Sequence, residues 1–161
     1  MKKEKIKEIL FSENPKVCVR VIEDNELSAI KKQKKDYPFE LHNTVKVTII
    51  TDVRQFDFSI PKGYTWNGAD IPRIFWRVIG ARTDNDFLIA SMLHDYLLEF
   101  KVYLINEVLN KQISTNEYRR LTSLIFREKI KKQGTNVIKA NIMAWCVDIF
   151  QIFNKKGWNI L

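Results

Sequence analysis

The sequence changes its hydrophobic period midway, and this change constrains the fold more than any other feature. In the first half apolar and polar residues alternate, as in strands with one buried face, whereas in the second half apolar residues recur at helical spacing. Strands followed by helices predict an α+β fold, with a small antiparallel sheet of about three strands packed with four helices. A length of 161 residues suits one domain, so we expect a single domain over residues 1–161, with residues 1–15 and 24–37 exposed or mobile.

Three segments of the first half have the composition and alternation of strands. They are residues 17–22, which are rich in β-branched side chains, and residues 39–51 and 53–60, which alternate. A turn that opens at Asp52 separates the second segment from the third. These two segments are therefore predicted to pair as an antiparallel hairpin.

Four helical segments are predicted in the second half. They run over residues 71–79, from 85 to about 107, from 115 to 133, and from about 136 to about 155. Asp84 is expected to cap the second helix and Thr135 the last. Ser114 and Glu117 have the spacing of a capping box for the third helix, which Gly134 is expected to end.

The helix predicted around residues 87–103 is apolar nearly all round, which indicates that it is buried. His94 and Asp95 lie in its middle. Burying a carboxylate without a partner costs on the order of several kcal/mol, so Asp95 needs one. Ser91 and Glu99, four residues on either side of Asp95, would complete a polar notch. Two interpretations stay open: structural polar residues that fix the helix, or an acid–base pair or metal site.

A loop at residues 60–73 could meet this notch. It holds two of the four prolines and two of the five glycines of the chain. Asn67 begins an Asn–Gly turn pair, and Asp70 is placed to cap the helix that follows. Alternatively, Asn67 and Asp70 present oxygens to a site shared with His94 and Asp95. Such a donor set suits a divalent ion or general acid–base hydrolysis, with His94, Asp95 and Asp70 as the candidate metal ligands.

Three short motifs together resemble a known family of phage and prophage proteins, domain of unknown function 1353. They are residues 60–64 (IPKGY), 67–73 (NGADIPR) and 94–97 (HDYL), and the resemblance extends over about residues 56–158. The His–Asp pair of the family falls on His94 and Asp95. The resemblance implies a phage or prophage origin, a small α+β domain and a shared polar cluster, and it implies no substrate.

The resemblance also marks two departures from the family's pattern. The loop aspartate of the family falls on Asn67 and its loop serine on Asp70, so an acid has in effect moved along the loop. The later arginine of the family falls on Arg119, and its following Ala–Asp pair falls on Thr122 and Ser123. The acid that the family carries at the last of these positions is therefore absent here.

The first functional hypothesis is a metal-assisted hydrolase. His94 or Asp95 would ligate a divalent metal ion or act as the base, and Asp70 and Asn67 would add ligands or orient water. Arg119 would pair with Asp95 or stabilise an anionic transition state. The main alternative is a non-catalytic phage structural or host-interaction protein, whose partner is a phage or host bacterial protein and whose polar cluster is structural.

Two further classes are less favoured by the residues. The net charge of +8 and a pI near 9.5 allow nucleic-acid binding, but aromatic residues do not interleave with the lysine runs as a stacking surface needs. The His–Asp phosphohydrolase superfamily needs another helical histidine, and His42, the only other histidine, lies in a predicted strand.

Cysteine usage and targeting signals predict a cytoplasmic protein, and the resemblance implies the cytoplasm of a bacterial host or association with a virion. Cys18 and Cys146 lie far apart in apolar stretches and predict buried free thiols in a reducing compartment. The lysine-rich start lacks the apolar region of an export signal, so we expect none. The apolar run at residues 142–153 is shorter than the roughly 20 residues that span a bilayer.

Overall fold

A computed structural model describes residues 4–20, 37–67 and 85–153 of the chain. The strands are β1 (Ile6–Phe11), β2 (Val17–Val19), β3 (Phe39–Leu41), β4 (Val45–Thr51), β5 (Gln55–Ile60) and β6 (Thr65–Trp66). The helices are α1 (Asn85–Glu99), α2 (Lys101–Tyr103), a π-helical turn (Leu104–Val108), α3 (Thr115–Lys132) and α4 (Val137–Phe153). Two small antiparallel sheets in the N-terminal half and four α-helices in the C-terminal half, counted over these residues, confirm the predicted α+β class.

The predicted hairpin is confirmed, and it supplies the central strand (β4) and one edge strand (β5) of the larger sheet. Its strand order is β1–β4–β5, and all pairs are antiparallel. Alternate side chains of β4 and β5 are buried, because the period of two sends every second residue to the core face. At the turn, the Thr51 hydroxyl accepts hydrogen bonds from the backbone N–H groups of Val53 and Arg54. The Thr51 side chain thus satisfies two backbone N–H groups of the turn that have no partner in the strand ladder.

The prediction of one strand over residues 39–51 is wrong, because the chain changes sheets in the middle of it. β3 belongs to a second sheet of order β2–β3–β6, whereas β4 belongs to the first. Between β3 and β4, side chains accept hydrogen bonds from backbone N–H groups. The Asn43 side chain accepts one from the N–H of Lys16, and the Thr44 hydroxyl accepts one from the N–H of Lys62. These bonds replace the strand ladder at the crossing.

β1 was not among the predicted elements, although it pairs along one edge of β4. Residues 1–15 were expected to be exposed or mobile, and most side chains of β1 are exposed or half-buried. Ile9 is the buried side chain of this strand. A charged edge strand with one core residue gives little periodic signal, so only its pairing reveals it.

α1 is buried nearly all round, as predicted, and lies between two parts of the core. Leu93 and Leu97 pack with the two sheets, while Phe87 and Ala90 pack with α3 and α4. The predicted helix continues to about residue 107 only after a break at Phe100, as α2 and the π-helical turn. Both faces of α1 are therefore needed for the core, and its polar residues lie between them.

The remaining helix boundaries test the capping predictions. Ser114 and Glu117 form the predicted capping box, and Gly134 ends α3 with φ +96°. The start of α4 differs from the prediction: Asn136, rather than Thr135, accepts a hydrogen bond from the N–H of Ile138. The helix predicted at residues 71–79 and the cap predicted at position 84 lie outside the described residues.

Candidate functional site

The His94–Asp95 pair lies on α1 where it faces α3. The His94 residue is 8% exposed, and its ring meets the Phe126 ring of α3 edge-on with centroids 5.5 Å apart. His94 Nδ1 lies 3.3 Å from Asp95 Oδ1, and the Asp95 side chain is 22% exposed. The pair therefore combines a nearly buried imidazole with a carboxylate that reaches the surface.

This contact favours one tautomer of the imidazole. When Nδ1–H donates to the Asp95 carboxylate, the neutral ring holds its proton on Nδ1 and presents Nε2 as the acceptor. The geometry is thus suited to general base catalysis.

Tyr64 joins this region of the site, and the sequence analysis assigned it no role. Its ring is buried and packs against Tyr96 of α1 in a T-shaped contact with centroids 5.2 Å apart. Burial raises the pKa of the Tyr64 hydroxyl far above its ordinary value, and the negative charges of Asp95 and Glu99 raise it further. The hydroxyl therefore stays protonated and is available as a hydrogen-bond donor, and it hydrogen-bonds with the Glu99 side chain. Its signal in the sequence is the aromatic residue directly after Gly63, in the motif at residues 60–64.

Gly63 and the short strand β6 position this tyrosine. Gly63 adopts φ +84°, a conformation that side-chain-bearing residues rarely take, and its N–H donates to the Leu41 carbonyl at 2.7 Å. Trp66, two residues after Tyr64, stacks on the Tyr64 ring with centroids 6.2 Å apart. Asn67 follows β6 directly and is half-buried. Asn67, the first candidate site residue of the loop, therefore directly follows a strand that is anchored in the core.

The polar notch is smaller than predicted. Ser91 is buried, but its hydroxyl donates to the Leu88 carbonyl on its own helix at 2.9 Å. Glu99 is exposed at the end of α1. Ser91 thus satisfies its hydroxyl locally, whereas Glu99 hydrogen-bonds with Tyr64, so the notch consists of His94, Asp95 and Glu99 with Tyr64 beside them.

Arg119 does not make the predicted pair with Asp95. Its guanidinium pairs with the carboxylate of Asp148 on α4, and the Ser123 hydroxyl donates to the same carboxylate at 3.2 Å. The Arg119 side chain is 13% exposed, so this ion pair is largely enclosed between α3 and α4. Asp148 thus supplies an acid beside the position where the family carries one and this chain has Ser123.

The predicted metal ligands are only partly placed. His94 and Asp95 are adjacent, but Asp70 lies outside the described residues. Among residues 4–20, 37–67 and 85–153, no group of three or more histidine, cysteine or acidic side chains is arranged to hold a metal ion. The ligand set of His94, Asp95 and Asp70 therefore stays a prediction.

The two cysteines differ in their surroundings. Cys146 is buried, as expected, whereas Cys18 is half-buried and its Sγ lies 2.9 Å from His42 Nε2. Burial raises the pKa of both thiols, and the negative charge of Glu40 raises that of Cys18 further. Both sulfurs thus favour the protonated, weakly nucleophilic form.

Two surface expectations can be compared with the structure. In the described part of the chain, no helix combines the length and apolarity that crossing a membrane requires. Lys131, which belongs to one of the short lysine runs, forms an ion pair with Glu128 at 2.9 Å. The cluster at residues 31–35 lies outside the described residues.

Known proteins match the chain in two comparisons. A family model described as "Protein of unknown function (DUF1353)" matches residues 43–147, well over half of the chain and including every candidate site residue. The "Uncharacterized protein y4jT" of Sinorhizobium fredii is 39% identical over 54 residues, which cover 29% of this chain and 16% of that protein. The match thus takes in only a small part of the length of this relative. No solved structure matches the chain.

Proposed function

Since the chain belongs to the DUF1353 family, which is defined without a function, we propose its chemistry from the site: His94 and Asp95 form an acid–base pair for a hydrolytic reaction. The observation that carries this proposal is the nearly buried imidazole in the middle of an apolar helix, with Nδ1 3.3 Å from Asp95 Oδ1. A histidine held by a carboxylate is the arrangement that general base catalysis uses.

In the proposed reaction, His94 Nε2 removes a proton from water while the water oxygen bonds to an acyl or phosphoryl centre. Asp95 accepts the Nδ1–H hydrogen bond and stabilises the imidazolium that results. The imidazolium then returns the proton to the leaving group as its bond breaks. Tyr64, which keeps its proton, hydrogen-bonds with the Glu99 side chain and lies within the electrostatic reach of Asp95. In the metal-assisted form of the proposal, His94, Asp95 and Asp70 would hold a divalent ion, which would supply Lewis-acid activation of the water, and Asn67 would orient that water.

Chemical modification tests whether a ligand can reach the imidazole. The chain has two histidines, and the His42 side chain is 55% exposed. When diethyl pyrocarbonate reacts with the folded protein, the modification rate of His42 therefore serves as the internal standard for that of His94. We expect His94 to be modified more slowly than His42 but well before the protein unfolds. Modification of His42 alone would exclude an acid–base role for His94.

Two matched variants then separate catalysis from structure. In His94→Asn the amide nitrogen can replace Nδ1 in the contact with Asp95, and in His94→Gln it can replace Nε2, but neither amide can carry a proton. We expect both variants to lose hydrolysis of p-nitrophenyl esters or phosphodiesters by ~100-fold or more. His42→Asn is the control and should hydrolyse them at the normal rate. Full activity in His94→Asn would refute the proposal.

A second candidate function, a non-catalytic phage structural or host-interaction protein, is favoured by the packing of His94. Its edge-on contact with Phe126 and its low exposure are what a side chain that locks α1 onto α3 would show. In that case His94→Asn would keep most of the stability, His94→Ala would lose it, and neither would change any hydrolysis rate. The phage or prophage setting, with a phage or host protein as partner, is part of the proposal and is supported by the motif resemblance.

A further inference from the structure

β5 forms the outer edge of the larger sheet, and its backbone groups alternate between the sheet and the outside. In an antiparallel ladder, residues that exchange hydrogen bonds with the neighbouring strand alternate with residues whose N–H and C=O point away. The Thr51 N–H donates to the Arg54 carbonyl at 2.9 Å, which makes this pair a hydrogen-bonded one. Every second pair after Thr51/Arg54 is therefore hydrogen-bonded to β4. The pairs between them contain Gln55, Asp57 and Ser59, whose backbone N–H and C=O groups point away from β4.

Two contacts agree with this assignment. The Ser59 carbonyl accepts a hydrogen bond from the Tyr96 hydroxyl at 2.7 Å, so it points away from β4. Lys46, the partner of Ser59 on β4, turns its backbone groups to the other side of the sheet: its carbonyl accepts a hydrogen bond from the Ser12 N–H at 2.9 Å, and its N–H donates to the Ser12 hydroxyl at 3.0 Å. Within the described residues, no hydrogen bond uses the backbone N–H or C=O of Gln55 or Asp57 on the outer side. These residues are exposed and offer a row of donors and acceptors.

An open groove of about 490 Å³ lies along this edge. Its walls combine the outer polar side chains of the sheet with rings from α1 and α2; they are Lys46, Asp57, Phe58, Ser59, Tyr96, Phe100 and Tyr103. Phe100 is 37% exposed and Tyr103 is 52% exposed, an unusual degree for large rings next to a core. The groove therefore offers apolar surface on its inner side beside an unpaired strand edge.

We propose that β5 binds an extended peptide by strand addition, and that the peptide carries a basic residue between two large apolar residues. The backbone of the peptide would pair with the outward groups of Gln55 and Asp57. Its basic side chain would lie directly opposite Asp57, where cross-strand charges of opposite sign attract. Its flanking side chains would point to the inner side, against Phe100 and Tyr103. The proposal is independent of the chemistry proposed for His94.

Charge complementarity selects this occupant over a second copy of the chain. If two β5 strands paired antiparallel through their outward residues, Asp57 would face Asp57 of the other copy, with Gln55 facing Ser59 on either side. Like charges directly opposite each other destabilise strand pairing. If the two copies paired in a register shifted toward the end of β5, Pro61 would take one of the pairing positions. Pro61 has no N–H to donate, so that register would lack a hydrogen bond.

The test uses a short capped, fluorescent peptide that has one lysine between valine and phenylalanine and threonine elsewhere. Binding to the whole protein is measured by fluorescence anisotropy. A scrambled peptide of the same composition and a peptide N-methylated on the lysine amide are the controls, because the first breaks the alternation and the second removes a ladder donor. We expect the alternating peptide to bind at least ~10-fold more tightly than either control.

Protein variants locate the binding site. Tyr103→Ala should weaken binding ~10-fold by removing a wall of the groove, whereas Val53→Ala, which truncates a side chain 64% exposed and outside the groove, should leave it unchanged. Asp57→Lys should reverse the preference, so that a peptide with glutamate in place of lysine binds about fivefold better than the lysine peptide. Equal binding of the scrambled or methylated peptide, or concentration-dependent dimers that the peptide does not dissociate, would overturn the proposal.

Discussion

Removal of the Asp148 carboxylate tests whether α4 supplies the acid that the family carries on α3. In Asp148→Ala, Arg119 loses its ion-pair partner in a place where its side chain is only 13% exposed. The Ser123 hydroxyl loses its bond to the same carboxylate. A hydrogen bond to a charged group contributes about 1.5–3 kcal/mol, but Asp148 itself is 30% exposed, which places the expected loss near the lower limit, at about 1.5 kcal/mol.

This loss predicts a fall in the melting temperature of about 5 °C, since roughly 2–4 °C accompany each kcal/mol in a chain of this size. The measurement is thermal or urea unfolding followed by circular dichroism. Glu107→Ala removes an exposed carboxylate on the π-helical turn and should change the free energy of unfolding by less than about 0.5 kcal/mol.

The decisive variant returns the acid to α3. Ser123→Asp alone would place two carboxylates beside one guanidinium and should destabilise the protein. In the Asp148→Ala background the same change should recover about 1 kcal/mol, because the new carboxylate lies one helical turn from Arg119 and close to where the old one was. If Ser123→Asp lowers stability equally in both backgrounds, the idea that Asp148 replaces the family's acid is wrong.

Three further predictions concern the elements that hold α1 and the site. Tyr118→Phe removes a fully buried hydroxyl that donates a hydrogen bond to a carbonyl of α1 at 2.7 Å. This change should lower the free energy of unfolding, measured by urea titration, by about 1–2 kcal/mol. Tyr103→Phe, which removes a hydroxyl from an exposed ring, should leave it unchanged. Backbone and side-chain hydrogen bonds from Ser114 hold the pKa of Glu117 below its ordinary value of 4.5. The stabilising effect of this cap is therefore present above pH 4.5 and lost as the pH falls through the lowered pKa. Ser114→Ala removes the hydroxyl but keeps the backbone N–H, which is the larger cause of the lowered pKa, so it should cost about 1 kcal/mol at pH 7 and reduce this acid limb in pH-dependent melts without abolishing it. Finally, Mn²⁺, Zn²⁺ or Mg²⁺ should raise the melting temperature of the protein but not of His94→Ala, and equal shifts in both would argue against the metal-assisted form of the proposed reaction.

Local signals predicted those elements whose formation depends on neighbours in the sequence. The alternation of β4 and β5, the capping box at Ser114 and the stop at Gly134 each need only residues a few positions apart. The prediction at Thr135 was wrong because both it and Asn136 are good caps, and a one-residue difference in where the helix begins decides between them.

The interaction partners of polar side chains could not be predicted from such local signals in the sequence. The sequence indicates that a buried carboxylate or guanidinium needs an opposite charge, but it does not say which one. Arg119 pairs with Asp148 rather than Asp95, and these partners lie 29 residues apart on different helices. Tyr64 likewise comes near Asp95 only because β6 packs beside α1.

The sequence by itself determined the α+β class, the buried helix and the polar pair at its centre, because hydrophobic period and local capping act over a few residues. Only the tertiary structure decided that residues 39–51 divide between two sheets, that α4 neutralises Arg119, and that β5 is left with an unpaired edge beside a groove. Each of these depends on which distant segments lie side by side, and that is set by packing the whole core rather than by any single stretch of chain.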